Sequence, residues 1–289
     1  MGTVAKKMQM TKTNKKNKKK KKKKKRDRQA FLANKHDLYQ KSVQEPEADT
    51  HFFDEVFEKE FGGEPKLLRE DFCGTGYLSA TWVREKEGRR AIGYDLDPEP
   101  VKWGEENNLS ELTDEQRSRV ELRLSNVLDA SEEKADVICA LNFSWWTFKK
   151  RLELLEYFRI ARSNLAEEGL FVLDMYGGSE AYEELEEEDE KDGFSYLWDQ
   201  EKVCAITDEV ICHISFLFPD GSKLKNVFTY DWRRYGMRET QEILVDAGFS
   251  RVDVYWEGVD EDGEGDGEFI LTTEAENTES WIAYLVAVP

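Results

Sequence analysis

The 289 residues carry 42 Lys and Arg against 61 Asp and Glu, a formal net charge of −19. Residues 1–28 hold 15 of those bases and one acid, Asp27, so the remaining 261 carry 27 bases against 60 acids, a net of −33. A body this acidic repels phosphate chains, which excludes the usual basic nucleic-acid binder, and no apolar run approaches the roughly 20 residues of a membrane helix.

Four scattered cysteines (Cys73, Cys139, Cys204, Cys212) and three histidines (His36, His51, His213) show no metal-ligand spacing. No disulfide framework and no metal site are expected. Reduced thiols place the chain inside the cell, with the cytoplasm as the expected compartment.

In chain order the lysine-rich segment comes first. Residues 18–25 are an unbroken run of lysine. Such a run repels itself, has little to bury and is expected to be disordered. The segment lacks the apolar centre of a signal peptide, and Lys6 stands where a myristoylation pattern wants Ser or Thr. Through this arm alone is contact with RNA, DNA or a nuclear import receptor expected; a solubilising low-complexity tail is the plainer alternative. Residues 29–65 predict helices, with Leu38, Phe52, Phe53, Val56 and Phe57 at three-to-four spacing and Pro46 parting two halves. They are read as an N-terminal helical lid on a domain spanning 66–289.

At Lys66 the period changes. Residues 66–72 and 89–95 predict strands around a helix over 77–87, and Asp97-Pro98 starts another helix with an acidic cap and Pro at its first position. Strands follow at 120–124, at 135–141 (ADVICAL) and at 169–175 (GLFVLDM), with a helix over 148–165 between the last two. Alternation of this kind implies a parallel sheet with right-handed crossovers. The pattern then breaks. Residues 183–192 (EELEEEDEKD) read as a solvated surface segment, and 194–234 as a small antiparallel sheet turning at Pro219-Asp220-Gly221-Ser222. Segment 177–235 is read as a substrate cap. A helix over 237–247 closes at Gly248, and strands at 252–256 and 281–288 flank an acidic loop.

The chemistry concentrates in KLLREDFCGTG (66–76) and in Asp95, nineteen residues beyond Gly76. Gly74 and Gly76 allow a sharp strand-to-helix turn that offers main-chain N–H groups to a ligand, and Thr75 adds a hydroxyl. A dinucleotide would place a pyrophosphate here, where Glu70 and Asp71 repel it, and Ser79 replaces the third glycine of that pattern. An aminoacyl ammonium is instead welcomed by a carboxylate. Asp95, followed by Leu96, ends the second strand where a carboxylate can accept both ribose hydroxyls. These features select S-adenosylmethionine (SAM) over a nicotinamide dinucleotide.

The order LREDFCGTG, GYDLDPEP, LSNVLDA, ADVICALNF and LAEEGLFVLDMYGG resembles the class I SAM-dependent methyltransferases over most of 67–289. The resemblance implies a Rossmann-like α/β fold: a seven-stranded, mostly parallel sheet with an antiparallel last strand, helices on both faces, and a β insertion after strand five. It places Glu70, Cys73, Gly74 and Gly76 around the methionine part, Asp95 on the ribose, Asn126 and Val127 near the adenine, and Leu141-Asn142-Phe143 facing the methyl group. Phe72 departs from it, standing at the first glycine of the family's loop, so the loop is expected to curve differently or leave less room.

Methyl transfer from a sulfonium is an in-line displacement in which positioning can suffice. Asn142 is the first candidate for the methyl-facing wall, with Trp145 and Trp146 beyond it as an aromatic box; against this stands a reading of both tryptophans as core or lid. Tyr176 and Asp174 leave strand five toward the same end, Asp174 either as base or amine anchor or as a buried hydrogen-bonded acid. Arg233 and Arg234 either grip an acceptor carboxylate or pair with the acidic surface. Tyr39 is expected to close over the cofactor. A small-molecule acceptor is the leading expectation. RNA or protein methylation through the basic arm, and a catalytically inactive SAM-binding module, are the alternatives.

Overall fold

Apolar runs too short for helices and flanked by turns become strands here, and the helices between them bury one face each. The computed structural model describes residues 28–129, 131, 133–259 and 265–289. The lysine-rich segment, expected to be disordered, lies outside the described residues over 1–27, as do residues 260–264 of the acidic loop. Three helices come first, α1 (Gln29–Leu32), α2 (Lys35–Val43) and α3 (Pro46–Phe61). Pro46 starts α3 and Gly62, at φ 72°, ends it. The alternating part follows as β1 (Leu67–Asp71), α4 (Tyr77–Glu85), β2 (Arg90–Asp95), α5 (Pro98–Asn107), α6 (Asp114–Arg117), β3 (Val120–Leu124), β4 (Ala135–Ala140), α7 (Arg151–Asn164) and β5 (Leu165–Gly177). The Asp97 side chain accepts from the Glu99 N–H to cap α5, as its sequence predicts.

An insertion of four strands follows β5: β6 (Leu185–Lys191), β7 (Phe194–Val203), β8 (Glu209–Leu217) and β9 (Lys223–Arg233). The chain ends in α8 (Met237–Asp246), β10 (Arg251–Val259), β11 (Gly265–Thr272) and β12 (Trp281–Val288).

Among the described residues the main sheet has eight strands in the order β11-β10-β12-β5-β4-β1-β2-β3. Strands β1 to β5 pair in parallel, while β12 runs antiparallel to both β5 and β10. The Rossmann-like reading holds, with one correction: β11 pairs antiparallel with β10 and adds an eighth strand at the edge. Its Phe269 packs on Tyr284, ring centroids 4.4 Å apart. The acidic run of β6 is solvated as expected, but it is also the edge strand of the second, antiparallel sheet in the order β6-β7-β8-β9.

Three apolar clusters hold these layers together. Helices α7 and α8 cover one face of the main sheet through Leu154, Phe158, Ala161, Ile243 and Leu244. Leu152, near the start of α7, is exposed. Helices α3 and α4 cover the other face through Phe53, Val56, Trp82 and Val83, so α3 is a layer of the core. Helices α1 and α2 stand against the small sheet, where Leu38 packs with Phe194, Ile214, Phe216 and Phe218 and the Gln29 and Ala30 N–H groups donate to Asp220 and Ser222. Among the described residues, no helix is long and apolar enough to cross a membrane.

Candidate functional site

Strand order reverses between β4 and β1, and in sheets of this kind a crevice opens beyond the carboxyl ends of the strands at such a point. The turn after β1 holds three left-handed residues in alternation, Phe72 (φ 59°), Gly74 (φ 53°) and Gly76 (φ 61°). At Phe72, where the loop was expected to curve differently or leave less room, the backbone takes the same left-handed region as the two glycines. Phe72 adopts the left-handed geometry at a cost of roughly 1–2 kcal/mol, offset by packing edge-on to Phe148 and Tyr157. A Cβ at Gly74 would meet nothing within 4 Å, so its backbone is open to a ligand. The Gly74 N–H donates to Asp95 Oδ2 (2.8 Å) and the Asp97 N–H to Asp95 Oδ1 (2.8 Å), which fixes this carboxylate beside the turn.

A cleft of about 710 Å³ runs from here along the strand ends. Phe72, Asp95, Leu96, Asn126 and Val127 form one wall, and Tyr230 and Trp232 of β9 close it from above. Five sequence candidates thus meet in one place: Gly74, Asp95, Leu96, Asn126 and Val127. Tyr39 on α2 lies under the same roof, 5.0 Å from Phe228, with its hydroxyl toward Tyr230 and its pKa pushed up to about 12 by burial.

Beside the cleft, three carboxyl groups converge without a basic partner. Glu70 is buried at the end of β1, where it accepts from the Ser79 N–H (3.0 Å) and hydroxyl (2.6 Å). Burial pushes it up to about 8, the Ser79 bonds oppose this, and Asp49 and Asp95 add to the rise. Asp174 on β5 accepts from the Asn142 N–H (2.6 Å) and the Phe143 N–H (2.9 Å). Burial raises it to about 7 against those two bonds. Asp49 on α3 accepts from the Tyr284 hydroxyl (2.6 Å), and burial raises it to about 6. Burial together with these acids also lifts the Cys73 and Cys139 thiols well above their usual range, so neither is a nucleophile. These three acids have no basic partner; the lysine that lines the cleft, Lys149, is already paired with Asp231 and Glu209.

Several sequence candidates lie elsewhere. Asp71 does not face the cleft: it is 1 % exposed and binds Arg69 Nε (2.7 Å) and the Tyr157 hydroxyl (2.9 Å) on the opposite face of β1 from Glu70. Thr75 turns its hydroxyl to Gln40 Nε2 (2.8 Å) and its carbonyl to Asn108 Nδ2 (3.0 Å). Cys73 packs its sulfur against Gly93, leaving only its backbone at the turn. Asn142 meets Asp174 through its backbone N–H, whereas Leu141 packs against the apolar cluster under α3 and α4.

Trp145 and Trp146 are corrected as site residues. Both are fully buried, Trp145 donating to the Asp174 carbonyl at 2.8 Å. The cause is local: Asn142 (φ 54°) and Phe143 (φ 57°) are both left-handed, and the 3-10 turn Ser144–Thr147 that follows swings both indoles into the core. Arg233 pairs with Glu239 (3.1 Å) and lies over Tyr235 (4.2 Å), which is the surface-pairing reading. Arg234 is buried beneath the Tyr182 ring at 4.0 Å and lines neither the cleft nor the cavity beside it. Tyr176 lines that second cavity, of about 250 Å³, with its hydroxyl donating to Gln200 Oε1 (2.9 Å).

Sequence reasoning missed Asp49, Trp198, Gln200, Tyr230 and Trp232. For the last four a signal existed, since Tyr196, Trp198 and Gln200, and Phe228, Tyr230 and Trp232, alternate along β7 and β9. Nothing in the helical pattern of α3 distinguishes Asp49 from its acidic neighbours.

No family model matches the chain, and no curated protein does. Solved structures do. A SAM-dependent methyltransferase from Clostridium acetobutylicum matches with TM-score 0.63 and 18% identity, over 88% of this chain and 97% of that one. A sugar N-methyltransferase from Streptoalloteichus matches with TM-score 0.57 and 17% identity over 89% and 94%. An amino pentose methyltransferase from Micromonospora echinaspora, solved with SAM bound, matches with TM-score 0.56 and 12% identity over 86% and 95%. The likeness is one of fold: the architecture is that of SAM-dependent methyltransferases.

Proposed function

We propose that the chain binds SAM in the 710 Å³ cleft and transfers its methyl group to a small-molecule acceptor. The observation that carries this reading is the set of carboxyls Glu70 and Asp174, both buried, and Asp49, half-buried, with no basic partner among them, beside the glycine turn. A ligand with an ammonium and a sulfonium supplies the missing charge; a diphosphate would be repelled.

SAM brings a methyl group on a cationic sulfur, ready for in-line displacement. The protein's part is to bind, orient and keep water out. Leu96, Asn126 and Val127 offer the adenine wall, and Asp95 keeps lone pairs free for the two ribose hydroxyls while its other bonds hold the turn. The open Gly74 backbone receives the aminoacyl end near Glu70. Asp174, by clamping the Asn142 and Phe143 N–H groups, fixes the wall that faces the methyl group. Holding the acceptor atom about 3 Å from the methyl carbon lowers the barrier by positioning. The similar structures whose names give sugar or amino pentose acceptors favour a small acceptor here. So does the roof formed by β9, which leaves a cleft instead of an open groove.

Isothermal titration calorimetry tests the reading. Wild type is expected to bind SAM, and Asp95→Ala to bind it about 10–100-fold more weakly, the loss of charge-assisted hydrogen bonds to the ribose. Unchanged affinity in Asp95→Ala would remove Asp95 from the site.

A further inference from the structure

Resting on the methyltransferase reading, we infer that the 250 Å³ cavity between the two sheets is the acceptor subsite, and that it takes a compact alkyl amine. Its position comes first. Phe143 and Tyr176, at the carboxyl ends of β4 and β5, form its floor, and Tyr196 and Trp198 of β7 its roof. Phe143 also packs edge-on to Trp232, with centroids 6.3 Å apart, and Trp232 lines the cofactor cleft. The two cavities therefore adjoin at this edge-on contact, Phe143 lining one and Trp232 the other. A methyl donor held in one and an acceptor held in the other come together past the edge of Phe143, whose backbone Asp174 fixes.

The lining chemistry selects charge. Apart from aromatic and aliphatic side chains, Glu180 and Glu187 stand in the wall, and no Lys, Arg or His is among the described lining residues. Arg234 sends positive charge toward Tyr176 but does not itself line the cavity. Burial and the nearby Glu180 hold the Glu187 carboxyl above its usual range, as expected for acids facing each other without a cation. Aromatic faces and carboxylates together attract an alkylammonium and disfavour a carboxylate or phosphate ligand.

Gln200 sharpens the site. It is 2 % exposed, and its Nε2 donates to the Glu180 and Glu183 carbonyls (3.0 and 2.9 Å) while its Oε1 accepts from Tyr176. The Tyr176 proton is thereby committed to Gln200, so the phenol oxygen presents lone pairs to an incoming N–H. Tyr176 is a binding residue for the amine, and Gln200 positions it. The volume, below the roughly 300–1,000 Å³ of ordinary ligand sites, restricts the acceptor to a single ring or short chain.

The step balances. The ammonium loses one proton to the Glu187 carboxylate at the solvent rim, and the freed nitrogen lone pair forms the N–C bond. The C–S bond breaks with its electron pair left on sulfur, and the products are a methylated ammonium and a neutral thioether. Glu187 returns the proton to water.

The test uses the full chain saturated with S-adenosylhomocysteine and titrated calorimetrically with cyclohexylamine, cyclohexanol and cyclohexanecarboxylate. Cyclohexylamine is expected to bind at least tenfold more tightly than either of the others. Glu187→Gln, on an exposed edge strand where folding is not at risk, is expected to weaken the amine about tenfold, and Tyr176→Phe to weaken it several-fold. SAM affinity should stay within twofold in both variants, so failure of the cofactor reading is read separately from failure of the acceptor site. Equal binding of the three probes, absence of amine binding, or Glu187→Gln binding cyclohexylamine as wild type does would overturn the proposal.

Discussion

Asp71→Ala is expected to destabilise the fold by about 3–5 kcal/mol, the cost of removing one partner from a buried ion pair. Arg69 is 2 % exposed and packs its guanidinium over Tyr94 at 4.1 Å. One nitrogen donates to the Val127 carbonyl (2.6 Å), Nε donates to Asp71, and Nη1 already lacks a partner. Without Asp71 this cation has no counter-charge, and the Tyr157 hydroxyl loses its acceptor as well. The Val127 carbonyl belongs to a wall of the cleft, so the site loosens with the core. Arg69→Met with Asp71→Leu, which removes both charges and keeps the volume, is expected to recover most of the loss. Urea melts of the three proteins decide the matter. A single variant as stable as wild type would show that the pair contributes nothing.

Gly104→Ala is the second large effect. Alanine in the middle of a helix normally gains about 1 kcal/mol over glycine. In α5 the sign reverses, because the new Cβ would stand 2.0 Å from the Thr75 carbonyl oxygen and 2.6 Å from its carbon. Both are backbone atoms of the glycine turn and cannot rotate away. The helix must retreat, pulling Asn108 from Thr75 and Asp97 from Asp95. A loss of roughly 1–3 kcal/mol is expected from overpacking of this kind, with SAM affinity reduced at least tenfold. Gly63→Ala, where a Cβ meets nothing within 4 Å, serves as the neutral control. Thermal melts and calorimetry check both; a Gly104→Ala protein that binds SAM as wild type does would show that the helix does not set the turn.

The alternation of β1 through β5, the Asp97-Pro98 helix start and the inserted sheet were legible because each rests on local period and capping. The glycine turn and Asp95 were legible because their spacing is fixed by strand and helix length. Asp71 was misread for a reason the pleat supplies: adjacent strand residues face opposite sides. Glu70 and Asp71 could not both serve the cleft, and composition does not say which one does. The inward swing of Trp145 and Trp146 follows from left-handed geometry at Asn142 and Phe143, which local propensity does not foretell for such residues. Strand β11 was hidden by its Gly- and acid-rich opening, and it is held by packing of Phe269 on Phe52 of the distant helix α3.

The pH dependence follows from the same acids. Burial holds Glu70 near 8, Asp174 near 7 and Asp49 near 6, above the roughly 4 of an unfolded carboxyl. A raised carboxyl favours the folded state while protonated. Its contribution is complete below pH 4 and fades as pH climbs through 6 to 8, so the ligand-free fold weakens over that range. A bound cation prefers the ionised forms, so SAM affinity should run the opposite way. The most direct measurement is a calorimetric SAM titration at pH 6, 7 and 8 in buffers of differing ionisation heat, with NAD as comparison. The expected result is binding that tightens about tenfold from pH 6 to 8, releases protons at pH 7, and is absent for NAD. Affinity that is flat or falls with pH, proton uptake, or heat from NAD in place of SAM would contradict a cleft built to receive positive charge.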